Sequence, residues 1–134
     1  MKILVIDGQG GKIGRALIEG IKKELSEASE ITAVGTNSLA TQSMMRAGAD
    51  HAATGENAVI VAARKADVIV GPIGIVLADA LLGEVTPRMA AAVAQSDAAR
   101  ILIPFHGCNT TVVGTGTLSL TDLIQKAIQT IKEL

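Results

Sequence analysis

The sequence predicts an α/β domain, a three-layer arrangement with a mostly parallel sheet between two layers of helices. Three observations lead there. The chain opens on KILVI (residues 2–6), a continuous β-branched run typical of a strand buried on both faces of a parallel sheet. Short apolar runs then alternate with segments of helical period along the 134 residues. Right-handed crossovers between parallel strands would finally carry the first three strands to one side and the later ones to the other, giving order 3-2-1-4-5 with room for a sixth strand.

The elements follow in turn. From Ile13 the apolar positions Ile13, Ala16, Leu17, Gly20, Ile21 and Leu25 make one face of a helix. EITAVG (30–35) reads as a second strand, SLATQSMMRAGA (38–49) as a helix and HAAT (51–54) as a short third strand. ENAVIVAARK (56–65) would suit a strand by its β-branched run. Its length, and the DVIV (67–70) that follows it directly, favour a buried helix and then a fourth strand. Two helices are expected next: GIVLADALLG (74–83), stopped by Gly83, and one opened by Thr86 as N-cap with Pro87 at the first helical position. RILIP (100–104) is a fifth strand and TVVG (111–114) a candidate sixth. The last helix carries a capping-box pattern at Ser119 and Asp122, staple positions at Leu118 and Leu123, and the stripe Leu120, Leu123, Ile124, Ala127, Ile128, Ile131.

Composition narrows the function classes. By length the chain is one domain, residues 1–134. A formal net charge of -1 gives no bulk attraction to nucleic acid or anionic membrane. Although 49% of residues are apolar, no stretch approaches the roughly 20 needed to span a bilayer. One Phe, no Tyr and no Trp leave nothing for nucleobases to stack on, so nucleic-acid binding is not expected. The single Cys108 excludes an internal disulfide framework, and with a strand pattern starting at Met1-Lys2 the expected location is cytoplasmic.

Residues 8–14, GQGGKIG, are the most informative stretch. Gly8, Gly11 and Gly14 fall at x-x spacing, with Gly10 as an extra, between a strand and a helix. Such a loop turns sharply, brings backbone N–H groups to a phosphate and offers the positive end of a helix dipole. It resembles the loop of extended short-chain dehydrogenases, within a Rossmann-like domain. Lys12 is followed by Ile13 rather than Ser or Thr, so a P-loop is excluded. Two features run against a standard dinucleotide site. Asp7 would repel a pyrophosphate, and the second strand ends in Gly35-Thr36-Asn37-Ser38 where an acid for the ribose is usual. That polar set suits a ribose, a 2′-phosphate or merely a helix cap. The same G-T-[NT]-S ending also resembles the phosphate loop of methylglyoxal-synthase-like domains, although Asp7, Asp50, Asp67 and Asp79 do not fall on that family's pattern.

Ligands of such sheets bind at the carboxyl ends of the strands, so the loops 7–14, 35–38, 71–74 and 104–111 matter most. The expected nucleotide-binding set is Gly8, Gln9, Gly10, Gly11, Lys12, Ile13 and Gly14, then Thr36, Asn37 and Ser38, then Gly71, Pro72, Ile73 and Gly74. PFHGCNTT adds His106, Cys108 and Asn109 as ligand-lining positions. His106 and Cys108 are also candidates for a base and a nucleophile, with Asp7 a further candidate acid–base group. No metal site is expected, since His106, Cys108 and the distant His51 are too few ligands.

Taken in order, IDGQGG, GTNS, TGENA, GPIGI, ILIP and VVG resemble a family of short bacterial proteins described only as having a domain of unknown function. The resemblance covers essentially the whole chain and implies a bacterial, cytosolic, Rossmann-like protein without assigning an activity. The expected function is therefore a module that binds a nucleotide, NAD or NADP first, for binding or sensing. Short-chain dehydrogenase chemistry is excluded, because without tyrosine there is no Tyr-x-x-x-Lys pair. The alternatives are a small enzyme acting on a phosphorylated metabolite and a ligand-free dimeric scaffold. The apolar stretch 74–82 and MAAAVA (89–94) incline the expectation towards a homodimer.

Overall fold

The computed structural model describes residues 1–25, 29–104 and 109–134. Its elements are β1 (Lys2–Asp7), α1 (Lys12–Glu24), β2 (Glu30–Gly35), α2 (Ser38–Arg46), β3 (His51–Thr54), α3 (Glu56–Lys65), β4 (Val68–Pro72), a 3₁₀ turn (Ile73–Val76), α4 (Pro87–Gln95), β5 (Ala99–Ile103) and α5 (Leu120–Lys132). The five strands are parallel and lie in the order β3-β2-β1-β4-β5. β1 is central, with Ile3 opposite Ile31 on one side and Val68 on the other.

Alternation along β1 builds both cores. Ile3 and Val5 face the layer of α1, α2 and α5, where they meet Leu17, Ile21, Met44 and Ile128. Leu4 and Ile6 face α3 and α4, against Val59, Met89 and Val93. All four are at most 1% exposed, which is why the run is continuous rather than alternating. On the first face α5 approaches α1 so closely that a Cβ at Gly20 would overlap Ile128.

The caps form as the residues dictate. Ser119 Oγ accepts from the Asp122 N–H at 3.1 Å, and Asp122 Oδ2 accepts from the Ser119 N–H at 3.4 Å. Thr86 Oγ1 accepts from the Met89 N–H at 3.1 Å, ahead of Pro87.

Two expectations fail. Residues 74–83 are not an α-helix: after the 3₁₀ turn the chain makes a compact reversal in which Asp79, Leu81 and Leu82 have φ of 66°, 57° and 57°. Ile75, Ala80 and Val85 are its buried residues. Positions five apart do not share a helix face, so burying all three requires another backbone path. Residues 111–114 are not a sixth strand either. Left-handed Gly114 and Gly116 (φ 88° and 62°) turn the chain there instead.

Candidate functional site

β1 and β4 are neighbours whose crossovers leave in opposite directions, so the crevice beyond Asp7 and Pro72 is the switch point of the sheet. A cleft of about 240 Å³ lies there, walled by residues 7–13, Pro72, Leu81 and Leu120. A larger hollow, about 390 Å³, opens at the other end of the sheet beside Lys2, Glu30 and His51, away from the glycine loop. The switch-point cleft is the better candidate, because loop N–H groups and a helix N-terminus converge only on that edge.

The glycines have distinct duties. The Gly11 N–H donates to the Gly8 carbonyl at 2.9 Å, closing the turn, and Gly11 itself is left-handed at φ 74°. A Cβ there would also lie 2.9 Å from the Ala40 backbone, so α2 requires this glycine. Gly14 lets Met44 and Asp7 close on α1, and a Cβ on Gly8 would sit 2.5 Å from Thr36 Oγ1 and 2.8 Å from Leu81. Only Gly10 faces open space, with nothing within 4 Å of where a Cβ would stand. Three of the four are thus explained by packing, and Gly10 is not.

Much of the loop's hydrogen-bonding capacity is already used. Asp7 is 4% exposed, the one buried charged residue among those described. Its carboxylate accepts from the Gly8 and Gly14 N–H groups, both at 2.7 Å, and so caps α1 from the end of β1. Burial raises its pKa above the ordinary value, against the lowering effect of the Gly14, Gly8 and Ile13 N–H groups, and Glu84 raises it further. The Gln9 N–H donates to Glu84 Oε1 at 2.9 Å. Among the described residues, the N–H groups of Gly10 and Lys12 keep no such partner, and the Lys12 side chain is exposed on the cleft wall.

Glu84 is the residue the sequence analysis missed. It also accepts from Thr36 Oγ1 at 2.7 Å and Asn37 Nδ2 at 2.6 Å, reaching back from the segment before α4. Burial works against its charge, but the Gln9 N–H, Thr36 and Asn37 outweigh it and hold the pKa below the ordinary carboxylate value. Asn37 is meanwhile the N-cap of α2, its Oδ1 accepting from the Ala40 N–H at 2.9 Å, and Ser38 is exposed.

The other expected site residues divide. Pro72 lines the cleft. Gly71 is needed by the sheet, because a Cβ would collide with the Ile6 carbonyl, and Gly74 is buried while Ile73 is half-buried. His106 and Cys108 lie outside the described residues. Asn109 is exposed and left-handed at φ 52°. His51 faces Glu30 across 3.6 Å at the far end of the sheet. Asp50 and Asp67 pin that same end, accepting from the Ile31 N–H at 2.8 Å and the Lys2 N–H at 2.7 Å.

Sheet order and edge geometry define a Rossmann-like α/β protein. The chain belongs to the family described as "Domain of unknown function (DUF3842)", whose model matches residues 2–134. No curated protein matches it. Among solved structures it is similar to a dodecameric FMN-dependent Ubix-like decarboxylase from Escherichia coli O157:H7. That likeness covers 99% of this chain and 92% of the other at a TM-score of 0.58 and 16% identity, and it establishes the fold. No helix among the described residues is long and apolar enough to cross a membrane.

Proposed function

We propose that this protein binds a nucleotide-derived cofactor, NAD or NADP first, in the cleft between the β1 and β4 loops. The observation that carries the reading is Gly10: it is the loop glycine that packing does not require, and its own N–H and that of Lys12 have no partner among the described residues. A phosphate seated there gains two backbone donors and the Lys12 ammonium, with Thr36, Asn37 and Ser38 on the ribose side. The role is binding or sensing. A second reading, FMN, is favoured by the FMN-dependent structural neighbour. Assembly into a homodimer or larger oligomer belongs to the same reading, since Leu82 and Val113 are 96% and 94% exposed. Sedimentation velocity tests it: a monomer at all concentrations removes that part.

The protein's lack of Tyr and Trp makes its own near-ultraviolet absorption very weak, so a co-purified nucleotide is directly visible. Mass spectrometry of the denatured supernatant then names it. Gly10→Asp puts a carboxylate beside the proposed anion position, and among the described residues nothing beyond the chain neighbours lies within 4 Å of its Cβ. The variant is expected to fold normally and to lose nucleotide affinity by about tenfold or more. Unchanged affinity would sink the cradle reading. Displacement by a small phosphate ester and by inorganic phosphate alone would point instead to an enzyme acting on a phosphorylated metabolite.

A further inference from the structure

Resting on the nucleotide reading, we propose that Glu84 selects the ligand's ribose: its carboxylate accepts the free ribose hydroxyls and rejects a ribose bearing a 2′-phosphate. Rossmann-like sites place an acid at the end of the second strand for this purpose. Here β2 ends at Gly35, where a Cβ would lie 2.6 Å from the Asn37 carbonyl, so no side chain fits at that point. Thr36 and Asn37 follow, and both donate to the Glu84 carboxylate rather than supply an acid of their own. The carboxylate that stands at this place comes from 48 residues away.

Its orientation is fixed from both sides. Three donors (the Gln9 N–H, Thr36 Oγ1 and Asn37 Nδ2) converge on Oε1, so Oε2 takes part in none of these bonds. Next in the chain, Val85 is 1% exposed. Its carbonyl accepts from the Asp79 N–H at 2.7 Å, and its own N–H donates to the Ala80 carbonyl at 3.1 Å. Glu84 is therefore a positioned group beside Gly8, with its Oε1 3.0 Å from where a Gly8 Cβ would stand. An ionised acceptor held in this way suits a vicinal diol, whereas a phosphate dianion at the same point meets like charge.

The test measures dissociation constants of NAD, NADP, 2′-deoxy-NAD and FMN for the full chain and for Glu84→Gln. The glutamine carbonyl oxygen can still accept from the three donors, so the substitution removes charge with little change of shape. Wild type is expected to bind NAD about tenfold or more tightly than NADP and 2′-deoxy-NAD. In Glu84→Gln the preference for NAD over NADP should shrink by about tenfold. Equal affinity for NAD and NADP in wild type, or an unchanged ratio in a folded variant, overturns the role of Glu84 and leaves the nucleotide site standing. So does binding of FMN alone. Binding of none of the four removes the nucleotide reading, and this inference with it. Should Glu84→Gln fail to fold, the wild-type comparison among NAD, NADP and 2′-deoxy-NAD decides the question.

Discussion

Asp7 and Glu84 stand on the same edge of the sheet, accept bonds of nearly the same length, and have pKa values shifted in opposite directions. Asp7 lies beneath the glycine loop, where burial outweighs its N–H partners and raises its pKa. Glu84 lies on the rim, where its donors outweigh desolvation and lower it. Water makes the difference. Under the loop the carboxylate serves the protein by closing the first turn of α1. On the rim its charge is stabilised by the Gln9 N–H, Thr36 and Asn37. Within the protein the glycine-rich stretch is a tight turn completed by the Asp7 carboxylate, and of its four glycines Gly10 has open space where a Cβ would stand.

Removing each carboxylate separates the two roles. Asp7→Ala strands the Gly8 and Gly14 N–H groups in a buried place and is expected to cost about 3 kcal/mol, whereas Glu84→Ala on the rim should cost about 1 kcal/mol. Urea unfolding measures both, and equal costs would erase the distinction. A smaller effect is expected in the segment that delivers Glu84. Leu82 is left-handed and 96% exposed, so Leu82→Gly relieves backbone strain without losing packing and should stabilise by about 0.5–1 kcal/mol.

The smallest effect is in the pH dependence, where the two shifts have opposite signs. Asp7, with its raised pKa, contributes stability that is present below 3.8 and lost as pH rises through its folded value. Glu84, with its lowered pKa, contributes stability present above 4.5 and lost as pH falls through its folded value. Across the acid range, wild type should therefore lose stability relative to Asp7→Asn as pH rises, and relative to Glu84→Gln as pH falls. Thermal melts of the three proteins through this range would show parallel curves if the comparison is wrong.

What the sequence made legible was local chemistry. KILVI, the Thr86-Pro87 cap and the Ser119/Asp122 box each specify their element from adjacent residues, and strand–helix alternation sets the order β3-β2-β1-β4-β5. What stayed hidden was non-local. Residues 74–83 satisfy a helical apolar pattern, and only the five-residue spacing of Ile75, Ala80 and Val85 signals otherwise. The end of β2, Gly35-Thr36-Asn37-Ser38, shows only that an acid is lacking there. Nothing in the stretch around Glu84 indicates that it reaches Thr36 and Asn37, because that contact depends on a reversal built from left-handed leucines. Gly8 and Gly14 likewise look like ligand glycines until Thr36 and Met44 are seen against them.

The close seat of α5 on α1 at Gly20 bears on how the protein is made. Ile124, Ile128 and Ile131 help complete the core on the α1 face of the sheet, yet they are among the last described residues to be synthesised. Among the described residues, the opposite face, built on α3 and α4, has its apolar complement by β5. A nascent chain can therefore assemble one side of its sheet while the other still shows water a strip of isoleucine and leucine. Until the final helix emerges, that strip is the surface a ribosome-associated chaperone would find.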